Sequence, residues 1–277
     1  MPTIITKTID AGGGGDYTTF TAAEAAVVTL VTTDDMVAND EAIVFECVAG
    51  TYNESVTFDS SSPGPGLTMD ATRNITYRAA AGSEHGGDKD AGVIIDGALA
   101  TSLSIKDSHT VMQGLNVKAQ VSAVFIGATA TGRVLDGLII GPSLTTGGYT
   151  QIRDGADQTV IRNCVFRDTG AWGVNFNPAL INGGNACSFL NCTFSASTTA
   201  ILDQPAVAAN LTLTNNLFLT GAAMSTAPSV NTTRSGGGNA TTTALSQTSL
   251  LASSQTWTFT TDDQAASTGS QVIYDAT

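Results

Sequence analysis

Between residues 133 and 168 the chain gathers four arginines and four aspartates: Arg133, Asp136, Arg153, Asp154, Asp157, Arg162, Arg167 and Asp168. Carboxylates at this density could do sugar chemistry. Glycoside hydrolysis needs two carboxyl groups facing one cleft, about 5 to 9.5 Å apart. The stretch Asp154-Gly155-Ala156-Asp157 reads as a polar turn in preference to a metal loop. Trp172 lies in a Gly-flanked loop and would either stack on a sugar or wedge against the scaffold. None of these residues is assigned a catalytic role from its type and spacing, and no cofactor is expected.

Elements that could position such residues recur through the middle of the chain. Five segments share one pattern: an apolar residue, any residue, Gly or Asn, then apolar residues one and three positions further on. They are Met112-Gln113-Gly114-Leu115-Asn116-Val117, Leu135-Asp136-Gly137-Leu138-Ile139-Ile140, Ile161-Arg162-Asn163-Cys164-Val165-Phe166, Phe189-Leu190-Asn191-Cys192-Thr193-Phe194 and Leu213-Thr214-Asn215-Asn216-Leu217-Phe218. The anchors recur every 23 to 28 residues, as expected for one coil per repeat with loops of unequal length. Gly and Asn reach the left-handed backbone region at least cost, so Gly114, Gly137, Asn163, Asn191 and Asn215 are expected to stack as a column of bends. The apolar positions around each bend then point inward. Asn216 breaks that apolar column without an evident reason in the sequence.

These columns predict an all-β fold, a single-stranded right-handed parallel β-helix (a solenoid), with neighbouring coils about 4.8 Å apart. β-Sandwiches and propellers also use short strands and Gly/Asn turns, but do not require one bend residue at one phase in five successive repeats. Asn74-Ile75-Thr76-Tyr77 and Val93-Ile94-Ile95-Asp96-Gly97 read as earlier coils, giving about eight or nine turns in all. On this register Asp136 and Arg162 point outward from neighbouring coils. They form either a surface ion pair between rungs, worth about 0 to 1 kcal/mol, or part of a saccharide-binding or catalytic site. Cys164 and Cys192 share one inward column and are expected as buried free thiols in preference to a disulfide. Phe166, Phe194 and Phe218 form an expected core ladder, and His109 reads as a loop residue ahead of a strand.

A solenoid must cover its open ends. Thr21-Ala22-Ala23-Glu24 has the form of a capping box, and residues 21–31 are predicted as a short apolar helix plugging the N-terminal end. Residues 1–220 are assigned to the β-helix with this cap. Residues 221–277 are assigned to a Ser/Thr/Gly-rich extension that leaves the regular coil, with closing strands at Trp257-Thr258-Phe259 and Val272-Ile273-Tyr274.

Composition removes several classes of function. With 24 acidic and 11 basic residues the chain carries a net charge of −13, which argues against nucleic acid as a partner. No apolar run reaches the roughly 18 residues of a membrane helix. The first residues, Met-Pro-Thr-Ile-Ile-Thr-Lys, lack the basic stretch and apolar core of a secretory signal. Four cysteines without CxxC spacing and two histidines, His85 and His109, argue against a metal site. Residues 12–15 lack the Lys and Ser/Thr of a phosphate loop.

The N-terminal third resembles the pectin lyase-like superfamily, and pectin methylesterases most. Those enzymes open with a Gly-Asp-Tyr segment and a short helix, matched by Gly15-Asp16-Tyr17-Thr18-Thr19-Phe20-Thr21-Ala22-Ala23-Glu24-Ala25. A strand and a Gly-x-Tyr-x-Glu turn follow, matched by Val44-Phe45-Glu46-Cys47-Val48-Ala49-Gly50-Thr51-Tyr52-Asn53-Glu54, and then Asn74-Ile75-Thr76. The resemblance spans about residues 8–97 and implies the β-helix fold. The catalytic segments of the esterases have no such match. Gln120-Val121-Ser122-Ala123-Val124 is only loosely similar to their Gln-Ala-Val-Ala-Leu segment. Their Gln-Asp-Thr, Asp-Phe-Ile-Phe-Gly and Leu-Gly-Arg-Pro-Trp segments have no counterpart, so no catalytic residue carries over. Lyases of the superfamily use aspartates holding Ca²⁺ and a basic residue, for which the 133–168 stretch supplies the residue types.

Two functions therefore stand. The first is a non-enzymatic structural protein of a bacteriophage virion, a head decoration or a tail fibre or spike component exposed on the particle. Gly236-Gly237-Gly238-Asn239-Ala240-Thr241 is similar to the C-terminal part of many phage-encoded β-helix proteins. Its expected partners are copies of itself, as a homotrimer, and the capsid shell, with surface polysaccharide as a further ligand. The second is a polysaccharide-degrading enzyme, a lyase, hydrolase or esterase. A secreted glycan-binding adhesin is a third, smaller alternative.

Overall fold

A computed structural model describes residues 1–59, 66–97, 102–118, 124–126, 131–141, 150–153, 158–169, 172–177, 185–196, 199–203, 209–218, 222–224, 232–237 and 240–241. Their strands fall into three parallel sheets that the chain visits in rotation. The first sheet has nine strands, from Thr3–Ile9 and Glu41–Cys47 to Thr232–Gly237. The second has eight, from Gly50–Tyr52 to Ala240–Thr241, and the third has seven, from Val56–Phe58 to Ala222–Met224. This is a right-handed parallel β-helix, and the nine rungs of its first sheet match the predicted number of turns. The sheets run past residue 221. The two predicted closing strands lie outside the described residues.

The predicted bends are all present. Gly114, Gly137, Asn163, Asn191 and Asn215 take φ of 67°, 63°, 55°, 54° and 54°, each joining a first-sheet strand to a second-sheet strand. The ladder continues through the corner, because Gly114 N–H donates to the Asp136 carbonyl at 3.0 Å and Asn163 N–H to that of Leu190 at 2.9 Å. The residues flanking the bends fill the interior as expected: Met112, Leu135, Ile161, Phe189 and Leu213 are buried, as are Leu115, Leu138, Cys164 and Cys192. Phe166 and Phe194 stack at 4.8 Å with planes 3° apart. Phe218 occupies the next rung of the same strand register, but its side chain lies outside the described residues. Asn216 fills its place in the column as a hydrogen-bonding residue. It is buried in the apolar column but accepts from Cys192 N–H at 2.8 Å and donates to the Phe189 carbonyl at 3.0 Å. Its amide thus satisfies backbone groups that no apolar side chain could reach.

Ile75–Ala79 and Val93–Asp96 belong to one coil, not two: the former lies in the first sheet and the latter in the second. Residues 80–92 leave the coil between them and fold as a strap over the next two rungs. His85 Nε2 donates to the Gly137 carbonyl at 2.7 Å, while its Nδ1 accepts from Gly87 N–H at 2.9 Å. Asn116 donates to the Asp88 carbonyl at 3.0 Å, and Lys118 pairs with Asp90 at 2.7 Å.

The N-terminal helix spans Phe20–Leu30, and its caps differ from the predicted box. Thr19 is the N-cap and accepts from Ala22 N–H at 3.0 Å. Thr21 lies inside the helix and donates to Glu54. Glu24 turns away from the helix end into the coil, where it accepts from Tyr77 Oη at 2.6 Å and Asp59 N–H at 2.9 Å. The spacing Thr-x-x-Glu was right for a box, but burial of Phe20 and Ala23 on the same helical face brings Glu24 inside as well. Beneath the helix, Phe45 stacks on Tyr77 at 4.7 Å and Phe58 meets it edge-on.

Candidate functional site

The N-terminal segments that resemble those of the esterases build the cap. Asp16 accepts from Thr8 N–H at 2.8 Å and from Lys7 Nζ at 3.0 Å, tying the turn to the first strand. Tyr52 is buried, and its hydroxyl lies 2.8 Å from the Val48 carbonyl and 3.0 Å from that of Ile9. Glu54 accepts from Phe20 N–H at 2.8 Å and Thr21 N–H at 3.0 Å, supplying a carboxylate at the helix N-terminus where free donors and the helix dipole favour one. The Gly-x-Tyr-x-Glu turn therefore acts as the clasp of the plug.

Of the candidate site residues, the structure brings two together. Asp136 and Arg162 end first-sheet strands Val134–Asp136 and Thr159–Arg162 and are register partners. Arg162 Nη2 lies 2.9 Å from Asp136 Oδ2, and Asn163 Nδ2 donates to Asp136 Oδ1 at 2.9 Å. Both carboxylate oxygens are thus held by the neighbouring rung. The arginine side chain is 46% exposed, so the pair is well solvated and contributes about 0 to 1 kcal/mol. Asn191 Nδ2 reaches Asn163 Oδ1 at 3.4 Å and extends the polar row along the bends.

The other candidates fall elsewhere. Asp154 and Asp157 lie outside the described residues. Trp172, expected in a loop, begins the third-sheet strand Trp172–Asn177 and pairs with Thr199, since Gly173 beside it lies within the strand. Its side chain lies outside the described residues, as do those of Arg153, Arg167 and Asp168. Arg133 is not at the surface. It is fully buried, donating from Nε to the Asp107 carbonyl at 2.9 Å and from Nη2 to the Lys106 carbonyl at 3.1 Å. Burial pulls its pKa down to about 10, against the opposing charge of Asp107.

Sequence reasoning also missed a second column of bends. His109, Gly132 and Gln158 have φ of 51°, 70° and 52° at the corner where the third sheet returns to the first. Each immediately precedes a residue of one register row, Thr110, Arg133 and Thr159. His109 is expected as a loop residue and proves to be a strained corner residue, its pKa lowered by burial. A Cβ on Gly132 would lie 2.4 Å from His109 Nδ1, so glycine is required there.

The four cysteines are free and buried. Burial raises the Cys164 pKa well above the ordinary thiol value, helped by its hydrogen bond with Cys192. So held, the Cys164 thiol is a poor nucleophile. Among the described residues there is no group of three or more His, Cys, Asp or Glu side chains that could hold a metal ion. No described helix is long and apolar enough to cross a membrane.

The fold and this polar corner define an all-β protein of the right-handed parallel β-helix class with a helical N-terminal plug. No protein-family model and no curated protein matches the chain. Among solved structures it is similar to a pectin methylesterase from carrot, with a TM-score of 0.56 and 12% identity over 94% of this chain and 89% of that one. It is also similar to the pectin methylesterase of Aspergillus niger, with a TM-score of 0.50 and 14% identity over 92% of this chain and 80% of that one. At these identities the likeness is one of fold.

Proposed function

We propose that the chain is a non-enzymatic structural β-helix of a bacteriophage virion, a head decoration or a component of a tail fibre or spike exposed on the particle. The observation that carries this reading is where the polar residues go. Asp16, Tyr52, Glu54 and Glu24, the esterase-like residues, all bind backbone or neighbours within the cap. Asp136, the best-placed outward aspartate, has both oxygens engaged by Arg162 and Asn163. A scaffold needs such rungs tied together, whereas a catalytic carboxylate must be free to meet a reacting atom. Low charge density and the Gly236-Gly237-Gly238-Asn239-Ala240-Thr241 segment favour a particle component. Its partners in this reading are two further copies of the chain, which bury the flanks of a thin solenoid, and the capsid shell.

Sedimentation of native source material through a density gradient tests the proposal. Comigration of the chain with a megadalton particle at a fixed copy ratio is expected. Sedimentation as a free monomer or trimer would remove it.

A second reading is a polysaccharide-acting enzyme, favoured by the fold likeness to two pectin methylesterases over most of all three chains. A panel of acidic and neutral polysaccharides, assayed with and without Ca²⁺ for ester hydrolysis, elimination and reducing-end release, separates the two.

A further inference from the structure

The interior column at the start of the first-sheet strands is apolar at both ends and polar between them. It runs Ile43, Ile75, Thr110, then the level of Arg133, then Thr159 and Cys187. Thr110, Arg133 and Thr159 are consecutive rungs, about 4.8 Å apart, and all three are buried. Arg133 uses Nε and Nη2 on the carbonyls of the turn one rung below. Its Nη1 has no partner, and neither do the hydroxyls Thr110 Oγ1 and Thr159 Oγ1. A guanidinium stays protonated and each of its N–H groups must donate, so three orphaned polar atoms in adjacent rungs are not tolerated in a dry interior.

We infer that this part of the coil is a hydrated internal site: two water molecules flank Arg133 Nη1, one bridging to Thr110 Oγ1 and the other to Thr159 Oγ1. The donor count suits the arrangement. Nη1 carries two N–H groups, one for each water, and each hydroxyl can either accept from or donate to its water. A buried water making about three hydrogen bonds is the usual way such groups are satisfied. A halide in either position would also accept from Nη1 and one hydroxyl. It would, however, add a negative charge beside Asp107, which is buried and already faces Arg133. Charge balance therefore selects water. The hydrated arginine fixes the returning corner of the coil from inside.

The test is a crystal structure of the full chain at a resolution that shows ordered solvent, together with anomalous data from a bromide-soaked crystal. Two solvent peaks are expected within about 3.2 Å of Arg133 Nη1, each also within reach of one threonine hydroxyl and neither with bromine signal. A bromine peak at Nη1 overturns water in favour of an anion, and direct Arg133–threonine hydrogen bonds without solvent overturn the site altogether. The variant T110V/T159V, near in volume to the native chain, should lose both peaks. Persistence of both peaks in it would equally refute the bridging roles.

Discussion

The coil turns two sharp corners of opposite character. Where the first sheet passes to the second, the bends are Gly114, Gly137, Asn163, Asn191 and Asn215, and the charged pair beside them, Asp136 with Arg162, stands at the surface. Where the third sheet returns to the first, the bends are His109, Gly132 and Gln158, and the arginine beside them, Arg133, is inside. The same left-handed conformation is reached cheaply at one corner and with strain at the other. Two arginines thus have opposite energetic weight: one is screened by water, while the other is desolvated and must be held by protein.

Arg133→Ala should have the largest effect. It removes the donors of two turn carbonyls and the charge facing Asp107, and breaking a buried charge arrangement costs about 3 to 5 kcal/mol, read as a lowered denaturation midpoint. Gly132→Ala should follow, with about 1 to 2 kcal/mol for a left-handed alanine and further strain from the approach to His109. Asn163→Ala should cost about 1 kcal/mol, and Asn163→Gly should restore the bend although it cannot donate to Asp136. Arg162→Ala should change the midpoint by about 0 to 1 kcal/mol, which is the sharpest contrast with Arg133→Ala. Equal costs for the two arginine variants would erase the distinction between the corners.

The strap over the first corner adds a pH dependence. Hydrogen bonds from Lys118 and then Lys89 hold the Asp90 pKa down to about 2, below its ordinary 3.8. The pairing is therefore complete above about pH 4 and is lost as pH falls toward about 2. Amide exchange of residues 88–92 should accelerate through that window more than at the distant Asn191 corner, and Lys118→Met should narrow the difference.

The first corner was legible in the sequence because Gly and Asn announce a left-handed bend and apolar residues at fixed offsets announce an interior. The second was not, because histidine and glutamine carry no such signal, and an arginine is expected to face water. What brings Arg133 inside is a pair of turn carbonyls from another coil, which no spacing along the chain reveals. The helix could be read within one residue at each end, yet its true cap, Thr19 with Glu54, depends on a residue more than thirty positions away. Likewise the burial of Asn216 becomes intelligible only when the backbone of the neighbouring rung is in place. The pairing of Asp136 with Arg162 followed from register alone, whereas Asp154, Asp157 and Trp172 had no register to constrain them.

In the proposed structural role the outward polar row ties rungs together without performing chemistry. The most direct measurement is the activity of the intact chain and of Asp136→Asn against the polysaccharide panel, with circular dichroism confirming the fold of both. The account predicts no turnover by either protein and nearly identical melting curves. Turnover by the native chain that disappears in a fully folded Asp136→Asn variant would contradict it.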